Sequence, residues 1–513
     1  MKCLYVASEV TGFAKTGGLA DVAASLPPAL AHLGVEVAVM MPLYGFIRHG
    51  SAKIQATEHR FDVPLGDRKI PARIWMGTLA VSVSDTGSAA IVPIFFIDQP
   101  EFFDRVDPKA GFGLYQHPGA DGKLEDYPDN SSRFAFFSRA VLEALPRLDF
   151  WPDILHLNDW QTGLAPVYLD LIRSKPRTER PAGYDHIRTV FTIHNLAYQG
   201  LFWHLDMPAL GLPWRLFTPD KLEFYGRINF LKAGLVSADL LTTVSPTYAR
   251  EIQTPYYGCG LHGVLLNRCD KLVGIVNGAD YKAWDPATDK HVAAHFTAET
   301  LAEGKPRCKA ALQETFGLDV EPRKLLFGVV SRLAAQKGID LILKAMPDVL
   351  AREPAQLVVL GVGDKRHHEA LTALHERFPS QVGVRFELNE AIAHQIEAGA
   401  DAFLMPSQYE PCGLNQLYSL RYGTVPVVRA TGGLTDTVVD ATEANLAAGK
   451  ATGFRFIPYS PAVFRDALNR CLQLYQGRPD AWRRVQETGM RQDWSWTHSA
   501  AEYVRLYQRA VSV

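Results

Sequence analysis

The chain has 513 residues, 47% of them hydrophobic and 21% charged, with a formal net charge of −2. That length exceeds one ordinary core and predicts at least two domains. Near-neutral charge excludes an electrostatic case for nucleic acid or an anionic membrane surface as partner, and no apolar run approaches the ~20 residues that span a bilayer.

In chain order, the first segment runs Met1-Lys2-Cys3-Leu4-Tyr5-Val6-Ala7-Ser8. It reads as a buried strand over Leu4–Ala7, not as a secretory leader. It enters the loop Lys15-Thr16-Gly17-Gly18-Leu19 and then an amphipathic stretch, Ala20–Leu33. Further apolar runs follow at Val35–Met40, Ile154–Leu157 and Val190–Ile193, with a helical pattern over Gly163–Ile172. Pro-, Gly- and charge-rich insertions at Phe103–Asp129 and Arg173–Ile187 suit lids, acceptor surfaces or family decoration. A second block repeats the alternation. Its strands are Leu325–Val330, Leu357–Leu360, Ala402–Met405 and Thr424–Val428, and its helices Ile339–Ala351, Glu369–Phe378 and Gln416–Tyr422.

Strand–helix alternation predicts an α/β protein with parallel sheets covered on both faces. Two doubly wound domains are expected, at 1–273 and 274–489, with Gly274–Asp280 as a hinge. A last helix within 490–513 is expected to return to the first domain. The six cysteines lie far apart and form no Cys-x-x-Cys. That predicts neither a disulfide framework nor a zinc site, and a reducing cytoplasm.

Strand ends carry the candidate chemistry, in four constellations. At the first, paired Gly17 and Gly18 let backbone N–H groups approach an anion, with Lys15 beside them and a helix N-terminus behind. The same residues also suit a plain helix start. The pattern Thr16-Gly17-Gly18-Leu19-Ala20-Asp21 recurs as Thr431-Gly432-Gly433-Leu434-Thr435-Asp436. Either the two copies serve one ligand from two sheets, or they are two common strand–loop–helix joints. At the second end, Arg332 and Lys337 follow Leu325–Val330, where open α/β sheets bind ligands. A planar guanidinium and a point charge suit phosphate; a solvated helix start is the alternative. At the third, Glu410 follows Ala402–Met405 and suits either sugar hydroxyls or a helix-start cap, while Cys412 suits a buried position. At the fourth, His194 and Asn195 follow Val190–Ile193, and Asp159-Trp160 follows Ile154–Leu157. Carboxylate plus aromatic ring suits a sugar; a domain-packing role for Trp160 is equally open.

These motifs closely resemble the bacterial glycogen synthase and plant starch synthase family, in order and over essentially the whole chain. The resemblance runs from Tyr5–Val10 and Lys15–Val22 through Asp159-Trp160, Thr192–Gly200, Asn277-Gly278, Ser331–Gly338 and Gly361–Asp364 to Glu410–Gln416 and Thr431–Asp436. It implies a GT-B fold, two Rossmann-like domains facing a central cleft. It implies transfer of glucose from ADP-glucose to the non-reducing end of an α-1,4-glucan (glycogen or a maltooligosaccharide), with retention and with neither metal nor cofactor. By position Lys15 resembles the family's donor-binding lysine. Arg332 and Lys337 resemble the pair on the distal phosphate, and Glu410 the carboxylate on the glucose hydroxyls. His194 and Asp159 resemble residues around the transferred sugar, and Asn195, Asn277, Trp160 and Tyr115 further sugar-site positions. Gly17, Gly18, Gly432 and Gly433 complete the expected donor loops. Two departures stand out: Gln161 where some members carry His, and Leu388 where relatives often place an aromatic near the adenine. The rival readings are a related synthase with a small sugar acceptor and a silent nucleotide-sugar-binding protein.

Overall fold

A computed structural model describes residues 1–79, 91–105, 114–119 and 123–512. The chain divides into two compact units. The first comprises Met1–Val244, Ala249–Gly278 and Trp496–Val513; the second comprises Ser245–Tyr248 and Ala279–Ser495.

The first unit holds a nine-stranded sheet. From one edge its strands are Leu272–Gly274, Leu240–Thr243, Arg188–Ile193, Ile154–Asn158, Lys2–Val6, Glu36–Pro42, Val92–Asp98, Arg68–Leu79 and Ile54–Leu65. The first seven are parallel, with both faces covered, so Leu4, Tyr5 and Val6 are all fully buried. The last two depart from the expected all-parallel sheet: Ile54–Leu65 and Arg68–Leu79 form an antiparallel hairpin at the edge. Ile54–Leu65 buries Phe61, Val63 and Leu65 and exposes the residues between, the alternation of a strand with one wet face.

From the central strand Lys2–Val6 the chain first builds outward through Glu36–Pro42 and Val92–Asp98. It then returns to lay Ile154–Asn158 on the other side. This reversal makes a topological switch point at the carboxyl ends of Val6 and Asn158, the place where open α/β sheets bind ligands. Of the expected insertion Phe103–Asp129, residues 106–113 and 120–122 lie outside the described residues, and the rest includes the short paired strands Gln116–Pro118 and Leu124–Asp126. Arg173–Ile187 forms two short helical turns.

The C-terminal helix Trp496–Val511 belongs to the first unit. Its Ser499 hydroxyl donates to the Val276 carbonyl at 2.7 Å, and the Tyr507 hydroxyl meets His156 Nδ1 at 2.6 Å under the sheet.

The second unit is built on a six-stranded, wholly parallel sheet. Its order is Val382–Arg385, Ala355–Leu360, Leu325–Val330, Ala402–Met405, Val425–Arg429, Phe454–Phe456. The switch point lies between Leu325–Val330 and Ala402–Met405. Successive residues serve opposite cores: Leu325, Phe327, Leu357 and Val359 join one apolar cluster, Leu326, Val358 and Leu360 the other. Period-two alternation with apolar residues at every position is what a doubly covered sheet requires.

Candidate functional site

In the first unit the switch point brings together Glu9, the Lys15–Gly18 loop, Asp159 and His194. The loop leaves the first strand through Ser8-Glu9 and folds back, with Val10 bridging Ala14 and the Thr11 amide donating to the Ala20 carbonyl at 3.0 Å. Glu9, 3% exposed, takes most of the loop's polar groups. Its carboxylate accepts from the Thr16 amide, from the Thr16 hydroxyl at 2.7 Å and from the Gly17 amide at 3.3 Å. Glu9 lies within the Tyr5–Val10 run of the family resemblance but is given no role there; its place three residues past the central strand Lys2–Val6 could have suggested one. Lys15 Nζ donates to Asp21 Oδ1 at 2.6 Å, and both side chains reach solvent. A side chain built on Gly17 or Gly18 would meet nothing within 4 Å.

Asp159 sits in an unusual backbone geometry, φ 55° and ψ −176°. Non-glycine residues rarely adopt it, and such strain survives only where neighbours over-determine it. Here the Asp159 amide donates to the Thr192 carbonyl at 3.0 Å, and its Oδ1 accepts the His194 amide at 2.8 Å. Burial pushes the Asp159 carboxyl up to about 7; hydrogen bonds from the His194 and Asn195 amides oppose the shift, and the Glu9 charge adds to it. Burial therefore disfavours the charged carboxylate at this position.

Burial lowers His194 to about 3, so its ring is neutral. The neighbouring amide decides which nitrogen carries the proton. Asn158 Nδ2 donates to the Val6 carbonyl at 2.9 Å, which turns Asn158 Oδ1 toward the Tyr5 hydroxyl at 3.0 Å and His194 Nε2 at 2.9 Å. An amide oxygen only accepts, so Nε2 donates and Nδ1 keeps its lone pair. His156, beneath, is likewise lowered to about 3 by burial and by His194. It meets Thr192 Oγ1 at 2.6 Å.

The remaining sugar-site candidates of this unit separate. Asn195 Oδ1 accepts the Ala197 amide at 3.1 Å and so shapes its own turn. Trp160, 9% exposed, is ringed by Phe134, Phe202 and Tyr115 at centroid distances of 4.9, 5.7 and 6.1 Å. Gly200, at φ 63°, lies so close to that indole that a Cβ would come within 2.5 Å. This is the geometry of the packing role left open for Trp160. The Tyr115 hydroxyl donates to Glu9 Oε1 at 2.7 Å. Asn277 is 5% exposed, and its Oδ1 is buried without a hydrogen-bond partner among the described residues. Gln161 Oε1, two residues past Asp159, is also buried and unpartnered among them.

In the second unit Arg332 and Lys337 leave the strand Leu325–Val330, and Glu410 follows Ala402–Met405. The two loops clasp each other. The Gln408 amide donates to the Gln336 carbonyl at 2.7 Å, and Gln336 Nε2 donates to the Tyr409 carbonyl at 3.1 Å. Gly338, at φ 72°, lets the clasp close, since a Cβ there would fall 2.1 Å from the Pro406 carbonyl oxygen. Lys337 Nζ donates to Glu410 Oε2 at 2.7 Å, and the Ser407 hydroxyl donates to the same oxygen at 3.0 Å. Glu410 is 6% exposed, a carboxylate that only a partnered cation makes tolerable. Arg332 is exposed and its guanidinium has no partner among the described residues.

Gly432 and Gly433 press on the Glu410 loop. A Cβ on Gly432 would lie 1.9 Å from the Glu410 carbonyl oxygen, and one on Gly433 2.2 Å from that of Cys412. The Gly433 amide donates to the Pro411 carbonyl at 3.1 Å. Cys412 is buried, and Leu388 is 83% exposed. Among the described residues no three His, Cys, Asp or Glu side chains gather as a metal-ligand set.

Comparison with known proteins identifies the family. Residues 2–267 match the family model described as the starch synthase catalytic domain, and residues 313–487 match glycosyl transferases group 1. The chain is 47% identical to a glycogen synthase of Thioalkalivibrio sulfidiphilus, covering 100% of both chains. It is 44% identical to a glycogen synthase of Rhodopirellula baltica, covering 100% of this chain and 98% of that one. Among solved structures it is similar to the catalytic domain of starch synthase IV from Arabidopsis thaliana: TM-score 0.86, 33% identity, covering 100% of this chain and 99% of that chain. A sucrose-phosphate synthase from Thermosynechococcus elongatus, at 15% identity and TM-score 0.56, shares the fold alone. With its two parallel Rossmann-like sheets of the GT-B class, the chain belongs to the glycogen and starch synthase family of retaining glycosyltransferases.

Proposed function

We propose that the chain transfers glucose from ADP-glucose to the non-reducing end of an α-1,4-glucan, glycogen or a maltooligosaccharide, with retention, in the cytoplasm and with no metal or other cofactor. The first unit, residues 1–273 in the main with the returning C-terminal helix, serves the acceptor and the transferred sugar. The second, 274–489 in the main, serves the nucleotide. The Arabidopsis neighbour was solved bound to ADP and acarbose, which supports this pairing of ligands. The observation that carries the reading is the Lys337–Glu410 pair at the second switch point, with Arg332, which has no partner among the described residues, on the same strand end. Two cations there suit a diphosphate, and the carboxylate suits vicinal hydroxyls.

The chemistry follows from charge. The bond that breaks joins the anomeric carbon to a phosphate oxygen, so negative charge grows on ADP while the sugar becomes oxocarbenium-like. Arg332 and Lys337 are the cations this strand end offers to that growing anion. As Lys337 turns to phosphate it releases Glu410 Oε2 to accept from the glucose hydroxyls. On the first unit Lys15 and the open face at Gly17-Gly18 suit the donor. Among the described residues Asn277 Oδ1 is a buried acceptor with no partner, and His194 Nδ1 keeps its lone pair; both suit sugar hydroxyls. A buried acceptor left unpaired costs about 1–3 kcal/mol, a cost a bound hydroxyl would remove. Asn195 and Trp160 shape the sugar pocket, and Gly432 and Gly433 hold the Glu410 loop.

Retention is assigned to a route on one face of the sugar. The acceptor hydroxyl bonds to the anomeric carbon as the phosphate leaves, and its proton passes to that phosphate. The two-carboxylate route needs a nucleophile beneath the sugar. Asp159 is a poor one: one oxygen holds the His194 amide, and burial disfavours its charged form. A covalent glucosyl adduct trapped on Asp159 or Glu410 would overturn this route. The function itself is tested with radiolabelled ADP-glucose and glycogen, maltose or no acceptor. Label should enter glycogen; label only in a small sugar, or binding without transfer, would refute it.

A further inference from the structure

In the first unit both polar ends of Tyr115 have partners within the protein. The Tyr115 hydroxyl donates to Glu9 Oε1 at 2.7 Å, so the contact to Ser8 Oγ, also 2.7 Å, is one in which the serine donates and Tyr115 accepts. Burial, and then the Glu9 charge, raise Tyr115 well above the usual phenol range, so the donor proton stays in place. The ring packs against Phe134 and Trp160, at centroid distances of 5.7 and 6.1 Å. The Tyr115 carbonyl is held by the Tyr127 amide at 3.0 Å and by Asn130 Nδ2 at 2.9 Å, at the start of the helix Asn130–Leu148. Both ends of the residue are thus committed to the protein.

Glu9 is equally committed. Oε1 accepts the Tyr115 and Thr16 hydroxyls; Oε2 accepts the Thr16 and Gly17 amides. The carboxylate therefore occupies two backbone donors that the Gly-Gly loop would otherwise offer an anion. Those left without a partner among the described residues are the Gly18 and Leu19 amides, in the first turn of the helix Gly18–His32.

We propose that Tyr115 is a positioning residue that never touches the sugar. It acts through Glu9, and the Tyr115–Glu9 pair sets the shape in which Lys15, Gly18 and Leu19 receive the diphosphate of the donor. The mechanics are simple. The helix Asn130–Leu148 fixes Tyr115, Tyr115 fixes one carboxylate oxygen, and the other oxygen fixes two successive amides of the loop. Charge-assisted bonds to a buried carboxylate are the strong kind, so the linkage is stiff.

The inference rests on the reading of the Lys15 loop as a donor site, and the test separates the two. ADP, which lacks the glucose, is the probe: its affinity is measured by calorimetry for the wild-type chain, Tyr115→Phe, Glu9→Gln, the double variant and Lys15→Gln. Tyr115→Phe keeps the ring packing, and Ser8→Ala, which removes only the partner hydroxyl, is measured beside it. Each single change at Tyr115 and Glu9 should weaken ADP by about tenfold, the scale of one hydrogen bond to a charged group. The double variant should be no weaker than the weaker single, since neighbours acting through one contact are non-additive. Ser8→Ala should weaken ADP less than Tyr115→Phe does. Unchanged ADP affinity in Tyr115→Phe with a raised KM for ADP-glucose would mean direct contact with the glucose and overturn the proposal. Fully additive losses would overturn it too. If Lys15→Gln weakens ADP and Tyr115→Phe does not, this inference falls alone. If neither does, the donor-site reading falls with it.

Discussion

The two copies of Thr-Gly-Gly-Leu use the same residues for opposite physical ends. Around Gly17 and Gly18 there is open space, and a Cβ on either would touch nothing within 4 Å. Around Gly432 and Gly433 there is none, since a Cβ would run into the Glu410 and Cys412 carbonyl oxygens. The first pair leaves room for something outside the protein; the second lets two loops of one unit lie backbone against backbone. Even the amides differ: Gly17 donates to a side chain, Glu9, and Gly433 to a carbonyl, that of Pro411. A motif match thus reports that close backbone approach is needed, and not what approaches.

The largest test of this contrast concerns what the second copy supports. Lys337→Ala and Glu410→Ala should each lower kcat on the order of 10²–10³, the scale for one preorganised charged group, with the melting temperature little changed for Lys337→Ala. Near-wild-type rates in both would remove the site from this loop. Gly432→Ala comes next. It forces a Cβ against a carbonyl at a residue with φ 45°, and should cost about 1–3 kcal/mol of stability together with much of the turnover. Gly17→Ala, with φ −159° and empty space, should leave the denaturant midpoint unchanged and affect only the KM for the donor. Equal destabilisation by the two alanines would erase the distinction. Lys15→Gln should raise the donor KM by about tenfold with kcat largely kept, the effect of losing one charge-assisted contact.

The smallest effect lies beneath the first copy. His156 and His194 stay neutral in the fold down to about pH 3, whereas unfolded histidine takes up its proton near 6.5. The unfolded state therefore binds more protons below 6.5, and stability falls as pH drops from there toward 3. Relative to alkaline pH, each histidine should account for about 0.8 kcal/mol of lost stability by pH 6. His156→Gln should flatten the stability profile between pH 7 and 5 by one histidine's share, as measured by denaturant midpoints. An unchanged slope would mean that His156 titrates normally. Asp159 runs the other way: its raised carboxyl costs stability progressively as pH climbs from about 4 to about 7, so Asp159→Asn should relieve a penalty that is absent in acid and complete above about pH 7.

Much of this molecule was legible in one dimension. The apolar runs at Leu4–Ala7, Ile154–Leu157, Leu325–Val330 and Ala402–Met405 are strands because such runs, buried on both faces, have no other stable use at that length. Parallel sheets put their ligands at carboxyl ends, so Asp159, His194, Arg332 and Glu410 stood out by location. The edge hairpin Ile54–Leu79 was less visible, because charged residues on its wet face interrupt the apolar signal. Glu9 lay inside the Tyr5–Val10 run yet drew no role, because a single acid after a strand carries no chemical pattern of its own.

The sequence by itself determined the two α/β units, the strand ends that carry function and the family, since hydrophobic period, glycine placement and ordered motifs are local properties. The tertiary structure alone decided which polar groups meet. Lys337 and Glu410 are 73 residues apart and share a proton-bearing contact. Tyr115 and Glu9 are 106 apart and do the same. Hydrogen bonds act over about 3 Å, and no spacing along a chain encodes that distance until the sheets have brought their ends together.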